Sequence, residues 1–481
     1  MKIELIGVVT IVLGVLAMFA PTHRAFAIMV VSTLFGAAAA FSLSGLGGAS
    51  VLVPNLFLAF YCLRLFMAFG EGPAISSFMI SRSAFWLLLL TAYGLMTAFF
   101  FPRLMEGVTE TMLVQRISAG RNFISLMPLE ASTNNITQAV YALGGLLCFA
   151  FTFGYVRETR SAWRLVQVML ILSWVNLFVA VLDIATYYTG TAHIFDFVRT
   201  ANYALLTGSE KAGFKRISGT FSEASAFAGY TAVLFAFVAS LWLDRVRSWV
   251  TGLLASLLLA VLLLSTSATG MVALAAVVLF LGFRSAQGSI GRRPAGRPAF
   301  LASLLLVVPL VALFIVLAMP GMVEDVTGYL DEILFSKLES QSGRERSMWN
   351  AVAFQVFLDT RGLGAGLGSA RASSYLFVLL SNVGLLGAIL FFLFVGSIFL
   401  GRGSQQRVGV HTDDTVVRAC KAALVANLAE ALTSGTVYDL GLLFYLLAGT
   451  AAALQVPVRR SSVASKVGPR ARPTPFAEAG R

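Results

Sequence analysis

Cationic side chains are concentrated in polar segments of a chain that is otherwise largely apolar. The three longest such segments are 102–135, 186–225 and 320–373. Arginine presents a planar, permanently charged group whose donors match phosphate oxygens, and a diphosphate offers several acceptors. The last two segments therefore predict an anion-binding site built from Arg199, Lys211, Lys215, Arg216, Lys337, Arg344, Arg346, Arg361 and Arg371.

A simpler interpretation pairs these cations with neighbouring acids or with lipid headgroups. Acids in the same segments include Glu223, Asp325, Asp331 and Glu339. For any single arginine, such an ion pair accounts for the charge as well as a ligand does. For the whole group of cations, a shared anionic ligand is the stronger explanation.

The composition indicates which elements must position these side chains. Of the 481 residues, 58% are hydrophobic and 12% are charged, and the mean hydropathy is +0.84. A soluble domain carries about 25% charged residues. The sequence therefore predicts an all-α, polytopic membrane protein. The net charge of +12 is explained by basic cytoplasmic loops, and no nucleic-acid partner is expected.

Apolar runs near the ~20 residues that a helix needs to cross a bilayer recur along the chain. Residues 1–456 form one predicted membrane domain, and the Arg-, Pro- and Ser-rich segment 457–481 is predicted to be a disordered cytoplasmic tail. The thirteen runs are 3–20, 26–43, 51–69, 85–101, 136–155, 165–184, 226–243, 250–264, 271–283, 300–319, 375–400, 422–432 and 440–456.

The positive-inside rule orients these runs, because each crossing changes the side of the next loop. A cytoplasmic tail places the basic segments 157–164, 244–247, 284–298 and 401–421 inside. All three long polar segments then fall outside, together with the N-terminus.

Two pieces of the external segments have apolar residues at helical spacing. We expect residues 108–120 to lie on the membrane surface as an amphipathic helix, and 326–338 to lie along the membrane, either over a lipid-linked substrate or packed as an ordinary external helix. The cysteines Cys62, Cys148 and Cys420 show no metal-ligand spacing and receive no role. No metal or cofactor is predicted.

The order and predicted side of several motifs resemble the O-antigen polymerase and O-antigen ligase family. The resemblance covers about residues 210–400. Its first motif is Arg216-Ile-Ser-Gly219-Thr-Phe221-Ser-Glu223. Its later motifs are Ser342-Gly343-Arg344, Trp349, Gly362-Leu-Gly364-Ala-Gly366-Leu-Gly368, Ser374-Tyr375-Leu376 and Asn382-Val-Gly384-Leu-Leu-Gly387.

This resemblance implies a GT-C type glycosyltransferase of the bacterial inner membrane. Such an enzyme acts on the periplasmic side on a sugar chain linked to undecaprenyl diphosphate, and it requires neither metal nor nucleotide. Arg216 and Arg344 would bind the diphosphate and stabilise its charge as it leaves. We further expect Lys215, Arg346, Arg371 and Tyr375 to bind the substrate.

The proton acceptor is harder to assign. Ligases of the family have a histidine where this chain has Ala372-Ser373-Ser374. Of the three histidines, only His193 is predicted outside, and it is better explained as an interfacial residue. Glu223 is our candidate base because it follows Arg216 closely at the start of a helix, although an acid there is also an ordinary helix cap.

The missing histidine favours a polymerase that joins repeat units of O-antigen, capsule or exopolysaccharide over a ligase that transfers polymer to lipid A core. Membrane lipids and other polysaccharide export proteins are expected partners. A transporter or flippase of lipid-linked sugars is the alternative from another class. It would need ionisable groups within the membrane, and Asp183, Glu430 and Arg64 are the main candidates. A scaffold subunit of an export complex is a third possibility.

Overall fold

The protein was analysed as a computed structural model. It describes residues 2–43, 49–116, 122–160, 162–201, 206–211, 214–289, 341–402, 407–408 and 411–457. The predicted span 300–319, the amphipathic segment 326–338, Lys337 and the tail from 458 onward lie outside these ranges.

Helices dominate the described part of the chain, and the prediction of an all-α polytopic membrane protein is confirmed. They are α1 Leu5–Phe19, α2 Thr22–Ser32, α3 Val53–Phe69, α4 Gly72–Ile80, α5 Arg82–Leu104, α6 Thr133–Thr159, α7 Ala162–Tyr188, α8 Ala224–Leu243, α9 Ser248–Leu264, α10 Ala268–Ser289, α11 Gln341–Asp359, α12 Tyr375–Leu400, α13 Asp413–Ser434 and α14 Leu442–Gln455. A 3-10 helix covers Ala192–Phe197.

Fewer helices qualify as complete membrane spans than the thirteen predicted runs. Six are long and apolar enough among the described residues, namely α5, α6, α7, α8, α10 and α12. The α3–α4 pair, bent by 95°, would make a seventh. Helices α1, α9 and α14 are apolar but shorter. The helix α8 is enclosed by the others, and Phe227, Ala228, Leu234 and Phe237 along it are inaccessible to solvent.

The strands are short and lie at the ends of helices. They are β1 Lys2–Ile3, β2 Ala39–Leu43, β3 Ala49–Leu52, β4 Glu110–Arg116, β5 Asn122–Pro128, β6 Glu210–Lys211, β7 Phe214–Lys215, β8 Arg407–Val408 and β9 His411–Thr412. The first three form one antiparallel sheet in the order β1-β2-β3, and each later pair forms a two-stranded hairpin.

The predicted span 26–43 is wrong as a continuous helix. The helix α2 ends at Ser32, and β2 begins at Ala39. In between, Ala37 N–H donates to the Thr220 carbonyl at 3.0 Å, and the Ala37 carbonyl accepts from Thr200 N–H at 3.1 Å. The backbone here forms hydrogen bonds with a distant loop instead of with the next turn of a helix. Apolar composition alone does not predict such long-range pairing.

The predicted surface helix 108–120 is also wrong, because β4 and β5 form an antiparallel hairpin there. Its register runs from Glu110 opposite Pro128 to Arg116 opposite Asn122. The apolar triplet 112–114 fits a helix or a strand equally well by spacing. The partner segment 122–128, which contains Phe and Ile, provides the cross-strand pairing that favours the strand.

The helix ends sort into two groups, which we name after the predicted topology. At the inner end, Asp244 follows α8, and its carboxylate bonds Arg284 of α10 and Arg418 of α13. At the outer end lie the start of α8, the start of α12 and the turn between α13 and α14. The residues predicted to be cytoplasmic at 244, 284 and 418 therefore meet at one end.

Candidate functional site

The loop that carries Arg216 is anchored to the last turns of α7. We call residues 214–223 the arginine loop. Asp183 Oδ2 accepts the backbone N–H groups of Ser218 at 2.8 Å and Gly219 at 3.0 Å, while Oδ1 accepts Arg199 Nη2 at 2.6 Å. Gly219 has a φ of +54°, which favours glycine at this turn. The loop is therefore fixed by a carboxylate at the edge of a membrane helix.

Lys215 is occupied within this anchor. Its side chain is 3% exposed, and its Nζ donates to the Thr207 carbonyl at 2.6 Å and to the Arg216 carbonyl at 2.9 Å. Burial lowers the pKa of Lys215, and the charge of Asp183 opposes that shift. The Lys215 ammonium group is thus bound to other groups of the protein. Its contact with substrate stays a prediction.

Arg216 differs from its neighbours because part of its guanidinium has no acceptor. Its Nε is buried without a hydrogen-bond partner in the described part of the chain. Burial lowers the pKa of Arg216, the negative charge of Glu223 raises it, and the positive charge of Arg346 lowers it. The charges of the arginine loop and of α11, which are far apart in sequence, therefore influence each other here.

Glu223 occupies the N-cap position of α8, as the simpler interpretation predicts, but its carboxylate does not cap the helix. Glu223 Oε1 instead accepts a hydrogen bond from the hydroxyl of Ser225. The charge of Glu223 also acts on the guanidinium of Arg216 and on the carboxyl group of Glu430. Because a carboxylate offers about four acceptor sites, the bond from Ser225 leaves Glu223 with further acceptor capacity.

The helix α11 presents Arg346, and not Arg344, to the bundle. Its buried or partly buried positions Arg346, Asn350 and Ala353 recur at helical spacing. Arg344 lies about 200° away from Arg346 around the helix, since each residue turns it by about 100°. Arg344 is exposed and has no hydrogen bond or ion pair with another described residue. The charge of Arg346 acts on Arg216, and the pairing of Arg216 with Arg344 stays a prediction.

The glycine motif at 362–368 packs against a break in α12. Gly384 has φ +62° and ψ −164° inside this helix, and the backbone groups freed there are satisfied by the loop. Ala365 N–H donates to the Ser381 carbonyl at 2.7 Å, and Leu385 N–H donates to the Gly362 carbonyl at 2.9 Å. A Cβ at Gly364 would lie 2.6 Å from the Gly384 nitrogen. The motif is thus explained by close backbone packing.

Asn382 secures the chain between that loop and α12. Its Oδ1 accepts Gly368 N–H at 2.8 Å, and its Nδ2 donates to the Ala370 carbonyl at 2.8 Å. Asn350 of α11 accepts Ser373 N–H at 2.8 Å. Arg371 lies partly buried within this segment. The orientation of α11, and with it the position of Arg346, is therefore tied to the start of α12.

Tyr375 begins α12 but is buried. It is 3% exposed, and its ring lies 5.2 Å from that of Phe391 and 6.4 Å from that of Tyr438. Its role in substrate binding stays a prediction. His193 is exposed on the 3-10 helix.

Two further carboxyl groups lie toward the outer end of the bundle. Glu430 of α13 accepts a hydrogen bond from Ser434 Oγ at 2.6 Å and packs against Gly229 of α8. Asp439, in the turn before α14, accepts Gly441 N–H at 3.0 Å. Sequence reasoning considered Glu430 only for transport and missed Asp439, although an acid between two apolar runs was a visible signal. Among the described residues, no group of three or more His, Cys, Asp or Glu side chains could hold a metal ion.

Comparison with known proteins adds no family to this description. No protein-family model matches the chain, and no curated protein matches it significantly.

Proposed function

We propose that the chain is a GT-C type glycosyltransferase of the bacterial inner membrane, with long periplasmic loops, that polymerises repeat units linked to undecaprenyl diphosphate. One observation carries the proposal, namely the buried Nε of Arg216, which has no acceptor among the described residues and lies near a second arginine, Arg346. Buried donors are normally paired. An anion bound at the outer end would supply the missing acceptor.

The charge at this point favours an anion. Arg199 and Lys215 are paired with Asp183, whereas the charges that act on Arg216 are those of one carboxyl group, Glu223, and one further arginine, Arg346. A diphosphate matches two neighbouring guanidinium groups because it presents acceptors on two phosphorus centres.

The transfer step follows from these positions. A hydroxyl oxygen of the acceptor sugar attacks the anomeric carbon of the donor and forms the new glycosidic bond. The bond between that carbon and the diphosphate oxygen breaks, and the diphosphate leaves with the electron pair. Arg216 and Arg346 stabilise the charge that develops on it. Glu223 takes the proton of the attacking hydroxyl.

Substitution of the arginines tests this function. Arg216→Gln and Arg346→Gln should each weaken binding of undecaprenyl diphosphate to the protein in nanodiscs, while undecaprenyl monophosphate serves as the comparison ligand. The matched control is Arg24→Gln, which changes an exposed arginine at the start of α2. Binding that is unaffected by Arg216→Gln would overturn the site.

The product class is tested in cells whose polymer can be resolved on a gel. Collapse of long chains to single repeat units in Arg216→Gln supports the polymerase. Long polymer that is not attached to lipid A core would instead identify a ligase. Loss of lipid-linked repeat units from the outer leaflet would identify a flippase, and either result would overturn the polymerase.

A further inference from the structure

Asp183 is surrounded by at least as many hydrogen-bond donors as its carboxylate has acceptor sites. It is 2% exposed and accepts from Arg199 Nη2, Lys215 Nζ, Ser218 N–H, Ser218 Oγ and Gly219 N–H. A carboxylate offers about four lone-pair sites. Asp183 is therefore saturated, and it has no capacity left for a transported ion or a sugar hydroxyl.

The same bonds lead directly to Arg216. Lys215 Nζ lies 3.4 Å from Asp183 Oδ2 and donates to the Arg216 carbonyl at 2.9 Å. On the other side of Arg216, Asp183 holds the N–H groups of Ser218 and Gly219, and Arg199 Nε donates to the Gly219 carbonyl at 3.0 Å. The backbone is thus fixed at the Arg216 carbonyl and again two and three residues further along the chain.

The anchor also explains how two cations are held under the loop without competing with Arg216. Arg199 is 8% exposed and Lys215 is 3% exposed, and both share the single carboxylate of Asp183. Removing one partner of a buried ion pair leaves an uncompensated charge. Without Asp183, the two cations would repel each other and the guanidinium of Arg216 nearby.

We propose that Asp183 is the positioning residue of the diphosphate site, which acts through Lys215 and the backbone of the arginine loop to fix Arg216 toward the ligand. This inference rests on the proposed function, because it takes undecaprenyl diphosphate as the ligand of Arg216. Asp183 itself does not touch the ligand.

A double-mutant cycle tests whether Asp183 acts through Arg216. We expect Asp183→Asn to weaken binding of undecaprenyl diphosphate in nanodiscs by about tenfold or more, as misplaced binding groups do. In the Arg216→Gln background, Asp183→Asn should cause no further loss, since its effect passes through the same side chain. Losses that multiply would overturn the inference.

Controls separate positioning from general destabilisation. Asn176→Ala removes another buried hydrogen bond of α7, from Asn176 Nδ2 to Thr231 Oγ1 at 3.0 Å, and should leave affinity unchanged. If Asp183→Asn does not fold, Lys215→Met breaks the link to the Arg216 carbonyl while it keeps the Asp183–Arg199 pair. It should show the same dependence on Arg216.

The outcomes also distinguish this inference from the proposed function. Wild-type protein that does not bind undecaprenyl diphosphate, or that binds it equally well after Arg216→Gln, overturns the function. Binding that depends on Arg216 but is unchanged in Asp183→Asn, or in Lys215→Met if Asp183→Asn does not fold, overturns only the positioning role.

Discussion

The two ends of the bundle use arginine in different ways. At the inner end, Arg284 donates to Ser240 Oγ at 2.6 Å and to Asp244 Oδ1 at 2.9 Å, and Arg418 donates to Asp244 Oδ2 at 3.1 Å and to Asp414. At the outer end, Arg216 keeps a buried Nε with no acceptor among the described residues. The inner arginines are bonded to protein groups, whereas Arg216 has donor capacity left.

This difference indicates two tasks for one residue type. The inner arginines connect α8, α10 and α13 through one carboxylate, so they fix helices against each other. At the outer end, Arg199 is likewise paired within the protein, whereas Arg216 and Arg346 sit on a loop and on α11, where a bound anion would accept hydrogen bonds from them. Substitutions at the inner end should therefore change stability, and those at the outer end should change affinity.

The largest effect is expected from Asp244→Asn. This change removes the charge that two arginines share, and it should lower the free energy of unfolding by on the order of 2 kcal/mol, since both arginines are partly exposed. The measurement is the thermal unfolding temperature in detergent. Binding of undecaprenyl diphosphate by the folded protein should stay at the wild-type level.

Asp414→Asn is the matched control for that change. It removes only the pairing with Arg418 four residues along α13, a type of surface pair that contributes about 0.3–0.5 kcal/mol. Reduced affinity for undecaprenyl diphosphate in folded Asp244→Asn would show that the two ends are not independent, and the comparison would fail.

A second, smaller effect separates two arginines of the same helix. Arg346→Gln should weaken binding of undecaprenyl diphosphate by about tenfold, since a charge-assisted hydrogen bond contributes about 1.5–3 kcal/mol. Arg344→Gln should change it by less than about threefold, because an exposed charge on the opposite face acts only through screened attraction. Equal losses for the two variants would place both side chains at the ligand.

Much of the membrane architecture was predictable, because apolar length reports directly on membrane crossing. The arginines at 284 and 418 were also predicted to lie at one end by charge alone. The broken second run was not predictable. Residues 37–39 pair with the loop near Thr200 and Thr220, and local composition carries no information about a partner so far away.

The candidate site was predictable only in part. Arg216 and Glu223 lie seven residues apart, so a shared loop brings them together. The choice of Arg346 over Arg344 depends on the rotation of α11. The spacing of Arg346, Asn350 and Ala353 places these residues on one face of the helix. It selects Arg346 over Arg344 only once that face is known to be the buried one. Asp183 was considered only for transport, as an ionisable group of a membrane span. Its anchoring role was not predictable, because its cationic partners lie 16 and 32 residues further along the chain.

The last effect concerns a carboxyl group that no cation neutralises within the described residues. Burial raises the pKa of Asp439 from 3.8 to about 6, while the N–H of Gly441 opposes the shift. The folded protein thus retains a proton that the unfolded chain has already released. The stability that Asp439 contributes is therefore greatest below pH 3.8, falls as the pH rises, and is lost above about pH 6.

Asp439→Asn should remove this dependence, because asparagine is neutral throughout and can still accept the Gly441 N–H. We expect the variant to unfold at a higher temperature than wild type at pH 7.5, and the difference to disappear toward pH 4, as the neutral wild-type form becomes dominant. Asp196→Asn, at an exposed position of the 3-10 helix, is the control and should show no such convergence. If the two unfolding temperatures differed by the same amount at every pH, packing and not the charge of Asp439 would be the cause. Asp439 would then not differ from the paired carboxylates of the inner end by an uncompensated charge.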